Sequence, residues 1–499
     1  MSNHLFDALS TARATGSGTL FVSEGKPLMG DADFFDLSAR LASVLIDKGV
    51  KPGDRVAVQV PKSIQALALY VACLQAGAVF LPLNTAYTAT ELRYFVDDAE
   101  PALLVVDASQ QAMGEQLLDK AQVLTLDTDG NGSLVSLAEP ATPLQSAVPR
   151  AAGDLAAILY TSGTTGRSKG AMLTHDNLLS NAQTLVQFWQ FDKSDVLLHA
   201  LPIFHTHGLF VASNVMMLCG GSMHFQQRFL VDDVLAALPH VTSMMGVPTF
   251  YTRLLADTRF TRDAAAHMRL FISGSAPLLA VTHKEFEERT GQRILERYGM
   301  TETNMNTSNP FEGERIAGTV GQALPGVSIR ICDQQSQQPL PSGDVGVLHV
   351  KGPNVFKGYW QMPEKTAEEL LPDGYFITGD LATIDSRGYV TIVGRSKDLI
   401  ISGGYNIYPK ELELLIDDVK GVGESAVIGL PDADFGEMVV AVVVRDADAS
   451  QNLDAETVLG QLDGKLARFK LPKRIEFVDE LPRNTMGKVQ KNVLREQFG

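Results

Sequence analysis

Apolar residues in the first two-thirds of the chain fall in short runs that alternate with amphipathic stretches. Arg55-VAVQV predicts a buried strand, residues 63–77 a helix, and Ala78-VFLPLN the next strand. A helix over 89–98, the strand Ala102-LLVVD and later Leu155-AAILY continue the alternation. Such a succession predicts an α/β fold of helices layered on largely parallel sheets. From 316 to 393 the pattern shortens to strands and turns, as in GVSIRICD, GDVGVLHVKG and GYVTIVGR, which predicts a β-rich subdomain of the same large unit. Beyond Gly394 the helix IYPKELELLIDD, the strands GESAVIGL and EMVVAVVV, a helix near 455–467 and the strand KRIEFVDEL describe a small α+β domain.

The length of 499 residues demands more than one core. No apolar run is long enough to span a bilayer, and no basic leader or retention tail is apparent, so the cytoplasm is the expected compartment. Three scattered cysteines, Cys73, Cys219 and Cys332, argue against a disulfide framework or a metal cluster. The formal net charge is −16, which argues against nucleic acid as a partner. An anionic ligand must then be held by local clusters of cations and backbone N–H groups.

One such cluster is Tyr160-TSGTTGRSK-Gly170, which follows an apolar strand directly. Its glycines, hydroxyls and two cations suit a phosphate cradle. The spacing is not that of the common P-loop, because Ser168 stands where its second glycine belongs.

Further stretches join it: Leu201-PIFHTHG, Tyr298-GMTET, Tyr375-FITGD, Gly394-RSKDLIISGGYNIYP and Asn484-TMGKVQK. With these in this order, essentially the whole chain resembles the adenylate-forming family of acyl-CoA synthetases, luciferases and peptide-synthetase adenylation domains. The resemblance implies an N-terminal domain over 1–394, a hinge over 395–399 and a mobile C-terminal domain over 400–499. It also implies the chemistry: a carboxylate is joined to AMP with release of pyrophosphate, and the thiol of coenzyme A then displaces AMP. ATP, Mg2+ and coenzyme A are the implied cofactor and co-substrates. Fixed cations and a metal would screen the phosphate and carboxylate charges.

By the same resemblance, Thr161, Ser162, Gly163, Thr164, Thr165, Gly166 and Lys169 hold the β- and γ-phosphates, and Glu302 is the Mg2+ ligand. Thr301 touches the α-phosphate, flanked by Tyr298, Gly299 and Thr303, while Gly274 and Ser275 lie against adenine and the acyl group. Asp380 accepts from the ribose hydroxyls beside Arg395. Lys488 bridges the carboxylate and AMP, Lys397 is the hinge, and Gly403 and Gly404 let the backbone approach the pantetheine arm. A lysine acetyltransferase and deacetylase acting on Lys488 would control the first half-reaction alone.

The acid is addressed by departures from the family pattern. Arg297 stands before Tyr298-Gly299, where many relatives carry a small residue, and Arg253 follows a segment that supplies acyl-pocket walls. Two arginines on a short pocket suit a second carboxylate. With PIFHTHG and TETNMN they resemble the malonyl-CoA synthetase branch, which makes Thr206, His207 and Met305 side walls, with His207 also counted among the catalytic residues beside Lys488, Glu302 and Thr301, and malonate, or methylmalonate, the substrate. Arg315 is a lesser third contact. The alternatives are a ligase for a monocarboxylic acid, with both arginines structural, and an adenylation enzyme that loads a separate carrier protein.

Overall fold

The computed structural model describes residues 2–14, 18–161, 168–402, 405–432, 435–446, 453–462, 465–466, 468–484 and 487–499. The chain divides into two compact units, Met1–Ser328 with Val350–Phe376, and Ile329–His349 with Ile377–Gly499.

The first unit is built on two sheets. The six-stranded one runs in the order Val123–Thr125, Leu103–Val106, Arg55–Gln59, Val79–Pro82, Leu155–Thr161, Lys169–Thr174. Its first five strands are parallel, as the alternating pattern predicts, and the last pairs antiparallel with Thr161 opposite Lys169. The helix Ile64–Ala76 between two of these strands starts at Ser63, whose hydroxyl accepts from the Ala66 N–H. It stops at Gly77, in the left-handed region at φ 73°, where a Cβ is disfavoured. From Ala66 to Ala76 every residue is buried, and all but Gln75 lack an acid, base or amide side chain.

The nine-stranded sheet has a parallel centre, including Val196–His199, Ser243–Gly246 and Leu270–Ser273, that passes into the hairpin Leu295–Met300 and Asn304–Ser308. The hairpin closes tightly: a Cβ on Gly299 would stand 1.8 Å from the Asn304 carbonyl oxygen, and Asn304 turns at φ 49°. Beneath the parallel strands lies a core that includes Tyr251, Leu254, Phe260, Phe271 and Phe286. The carboxyl ends of parallel strands are where α/β sheets carry ligands, and Gly246, Gly274 and Ser275 stand there.

The second unit holds a four-stranded sheet, Ser328–Cys332, Gly346–Lys351, Phe376–Ile384 and Val390–Arg395, whose strand ends alone fall in the first unit's residues. It also holds a C-terminal sheet in which Val422–Asp432 and Gly436–Arg445 form a long antiparallel pair, with Arg474–Val478 parallel to the latter. Compactness thus sends much of the β-rich segment to the second unit. A boundary of compactness is not a boundary of movement, and the hinge expected at 395–399 is of the second kind. Among the described residues no helix is long and apolar enough to cross a membrane.

Candidate active site

Strand alternation places neighbouring side chains on opposite faces, so Glu296 and Arg297 part company. Glu296 accepts from the Leu278 N–H, while Arg297 enters the first unit's interior and is only 2 % exposed. Its Nε and Nη2 have no hydrogen-bond partner among the described residues. Burial lowers its pKa from 12.5 to about 9, against the raising influence of Tyr251 and Glu296. The guanidinium lies where a side chain on Gly274 would be: a Cβ there would sit 2.4 Å from Cζ and Nη1.

His207 shares this interior. Its Nδ1 is 3.2 Å from the Ser275 hydroxyl, and its Nε2 has no partner among the described residues. Burial first, then the charge of Arg297, hold its pKa well below 6.5, so the imidazole is neutral. Ser275 takes φ 72°, a left-handed conformation uncommon for a residue with a Cβ. Thr206 donates to Asn304 Oδ1 at 2.6 Å, and the Thr303 hydroxyl and Asn304 Nδ2 are buried without partners among the described residues. Met305, buried, reaches under Gly299. One cation, a neutral imidazole and several unspent polar groups therefore converge where a core would normally satisfy every one of them.

A second group in the same unit surrounds Lys169. Its ammonium lies 3.3 Å from both Glu369 oxygens and 4.0 Å above the Tyr359 ring. The Tyr359 hydroxyl lies 2.6 Å from Glu369 and 3.1 Å from Glu302, which is buried. Burial and the Glu302 charge raise the phenol's pKa, so it keeps its proton. Burial pushes the Glu369 carboxyl up, but the bonds from Tyr359 and Lys365 and the charge of Lys169 outweigh it and hold it low. Thr161 and Thr301 are half-buried.

In the second unit Asp380 and Arg395 are cross-strand partners joined at 2.6 Å, and Gly379 takes φ 71° between Thr378 and Asp380. Lys397 is exposed. Lys488 follows Gly487, at φ 74°, in a turn where the Gly487 N–H donates to the Asn484 carbonyl and the Lys488 N–H to the Asn484 side chain. Although its side chain keeps solvent-exposed surface, its pKa is pushed down to about 8, first by the like charge of Arg395, then by desolvation.

Two of the anticipated arginines lie elsewhere. Arg253 is exposed on the helix Pro248–Leu255, while Tyr251, two positions earlier, is buried with its hydroxyl donating to the Ile272 carbonyl. At about 100° per residue, positions two apart point to opposite sides, so burying Tyr251 turns Arg253 outward. Arg315 spends its guanidinium on the carbonyls of Arg293, Pro310 and Phe311. Ser162, Gly163, Thr164, Thr165, Gly166, Gly403 and Gly404 lie outside the described residues. Tyr251, Tyr359 and Glu369 went unremarked in the sequence. The helical phase of PTFYTR carries a signal for Tyr251, whereas nothing local marks Glu369.

Two family models match the chain, "AMP-binding enzyme" over residues 31–360 and "AMP-binding enzyme C-terminal domain" over 411–488. The chain belongs to the AMP-binding enzyme family. Over its full length it is similar to the ATP-bound MatB of Rhodopseudomonas palustris, with 56% identity, a TM-score of 0.97 and 99% of that chain covered. Among curated relatives it is 38% identical to a feruloyl-CoA synthase of an Amycolatopsis species, over 92% of each chain. It is 33% identical to the malonate–CoA ligase of Arabidopsis thaliana, over 90% of this chain and 79% of the relative.

Proposed function

We propose that this AMP-binding enzyme joins malonate to coenzyme A in two steps, through a malonyl-adenylate and with release of AMP and pyrophosphate. The observation that carries the reading is Arg297, a buried guanidinium with Nε and Nη2 unpartnered beside a neutral His207. A buried cation without hydrogen-bond partners is costly, and a carboxylate at the far end of a short acid would offset that cost. A monocarboxylic acid would leave it standing. The Arabidopsis relative named malonate–CoA ligase supports the diacid, and the likeness to an ATP-bound protein supports the nucleotide.

In this reading Thr161, Ser162, Gly163, Thr164, Thr165, Gly166 and Lys169 hold the β- and γ-phosphates, and Thr301 meets the α-phosphate. Gly274 and Ser275 line adenine and the acyl group, with Thr206, His207 and Met305 as the pocket's sides. Asp380, oriented by Arg395, accepts from the ribose. Mg2+ fits the donors: Glu302 is a buried carboxylate, and among the described residues no three His, Cys, Asp or Glu gather to hold a metal by themselves. An ion held by one carboxylate, phosphates and water is the usual way of Mg2+, and when bound with ATP it would supply charge screening.

Lys488 places an ammonium on the carboxylate oxygen that attacks the α-phosphate and serves adenylation alone. Lys397 is the pivot for the second half-reaction, in which Gly403 and Gly404 admit the pantetheine thiol. Acetylation of Lys488 would cancel its charge and stop the first step; cellular protein that mass spectrometry finds always unmodified there counts against that regulation.

The test is pyrophosphate release with ATP and Mg2+ across acetate, butyrate, malonate, methylmalonate and succinate. Malonate, with methylmalonate behind it, is expected to lead. A monoacid turned over equally well refutes the diacid while leaving the ligase.

A further inference from the structure

The Lys169 ammonium, on the first residue of the strand Lys169–Thr174, is caught by a residue 200 positions away in sequence. Several features show that the catch is built. The segment 357–360 runs beside the strand Lys169–Thr174: the Lys357 N–H donates to the Met172 carbonyl, Met172 N–H to Gly358, and Trp360 N–H to Gly170. This pairing sets the Tyr359 ring beneath the lysine. The Tyr359 N–H donates to the Thr366 hydroxyl, which ties the ring to the helix Pro363–Glu369. Glu369 is the last residue of that helix, where the helix dipole disfavours an anion. It stays ionised there through Lys169, Tyr359 and Lys365. A local rule broken with such specific compensation points to function.

We propose that Glu369 is a positioning residue for ATP: it clamps the Lys169 ammonium against the Tyr359 ring, so that the cation meets the polyphosphate already in place. A lysine fixed beforehand need not lose its rotamer freedom when the nucleotide arrives. The inference rests on the reading that the chain binds ATP, and it adds a residue that acts on the nucleotide through Lys169.

The test is ATP titration by calorimetry, with steady-state kinetics, on wild type, Glu369→Gln, Glu369→Asp, Lys169→Met and the double variant Lys169→Met/Glu369→Gln. Glu369→Gln is expected to weaken ATP binding and raise the ATP KM about tenfold, the scale of one lysine's rotamer entropy. The malonate KM, kcat and the melting temperature should stay near wild type, with Glu369→Asp between the two. In the Lys169→Met background Glu369→Gln should change little, since residues acting through one another are not additive. Tighter ATP binding in Glu369→Gln makes the carboxylate a competitor of the nucleotide and overturns the proposal. So does a full additive loss in the double variant, or a fallen melting temperature with kcat and both KM values worsened alike. Failure of wild type to bind ATP overturns the proposed function as well, whereas normal wild-type binding with an unaltered Glu369→Gln overturns only this inference.

Discussion

Replacing Arg297 by methionine removes a buried charge but keeps an unbranched chain of comparable length, and it should separate recognition from folding. Before substrate arrives the guanidinium is a liability. Burial takes its pKa from 12.5 to about 9, on the order of 5 kcal/mol against the charged form. Its Nε and Nη2 recover nothing through hydrogen bonds among the described residues. Methionine should therefore leave the melting temperature of the ligand-free enzyme unchanged or higher, because exchanging uncompensated buried charge for apolar packing is neutral to stabilising. For malonate the sign reverses. The far carboxylate would enter the pocket without a partner, a loss of about 3–5 kcal/mol, or roughly 10²- to 10⁴-fold in kcat/KM. Butyrate, with a methyl group there, should lose little or gain. The assay is pyrophosphate release with malonate and butyrate, beside calorimetric unfolding of the free protein. A malonate loss below about tenfold, or equal losses for both acids with a lower melting temperature, would mark Arg297 as a structural arginine and refute the reasoning.

Other consequences follow from the same geometry. Gly274→Ala should drive a methyl into the guanidinium, raising the malonate KM about tenfold or more and the ATP KM, through the adenine contact, by much less, as steady-state kinetics will show; equal increases would deny that Gly274 makes room for Arg297. Since the Lys488 ammonium is lost as pH rises through about 8, kcat/KM for adenylation should fall over that range, and a profile flat to about pH 9.5 would exclude the role. Lys488→Ala should abolish ATP-dependent pyrophosphate release but still pass a preformed malonyl-adenylate to coenzyme A, so loss of both steps counts against a half-reaction role. Glu302→Gln should raise the Mg2+ concentration needed for half-maximal rate about tenfold, read from Mg2+ titrations at fixed ATP; an unchanged requirement would remove it from the metal site.

The alternating apolar runs were enough to place the strands Arg55–Gln59, Val79–Pro82 and Leu103–Val106 in a parallel sheet, because a strand buried on both faces has to be apolar throughout. The motifs were enough for the family, and they singled out Arg297, Glu302, Asp380 and Lys488, the residues on which the proposed chemistry rests. Spacing did not separate the two arginines. Arg253 and Arg297 look alike in the sequence, and only the packing of Tyr251 into the core, with the strand alternation at Glu296, turned one to solvent and the other inward. Nor could it join Glu369 to Lys169, since their contact exists only because the segment 357–360 pairs with the strand that begins at Lys169. A side chain's type and its neighbours along the chain are local properties. Its burial, the charges it feels and the partners it lacks are set by segments far from it along the chain, and those came from the tertiary structure alone.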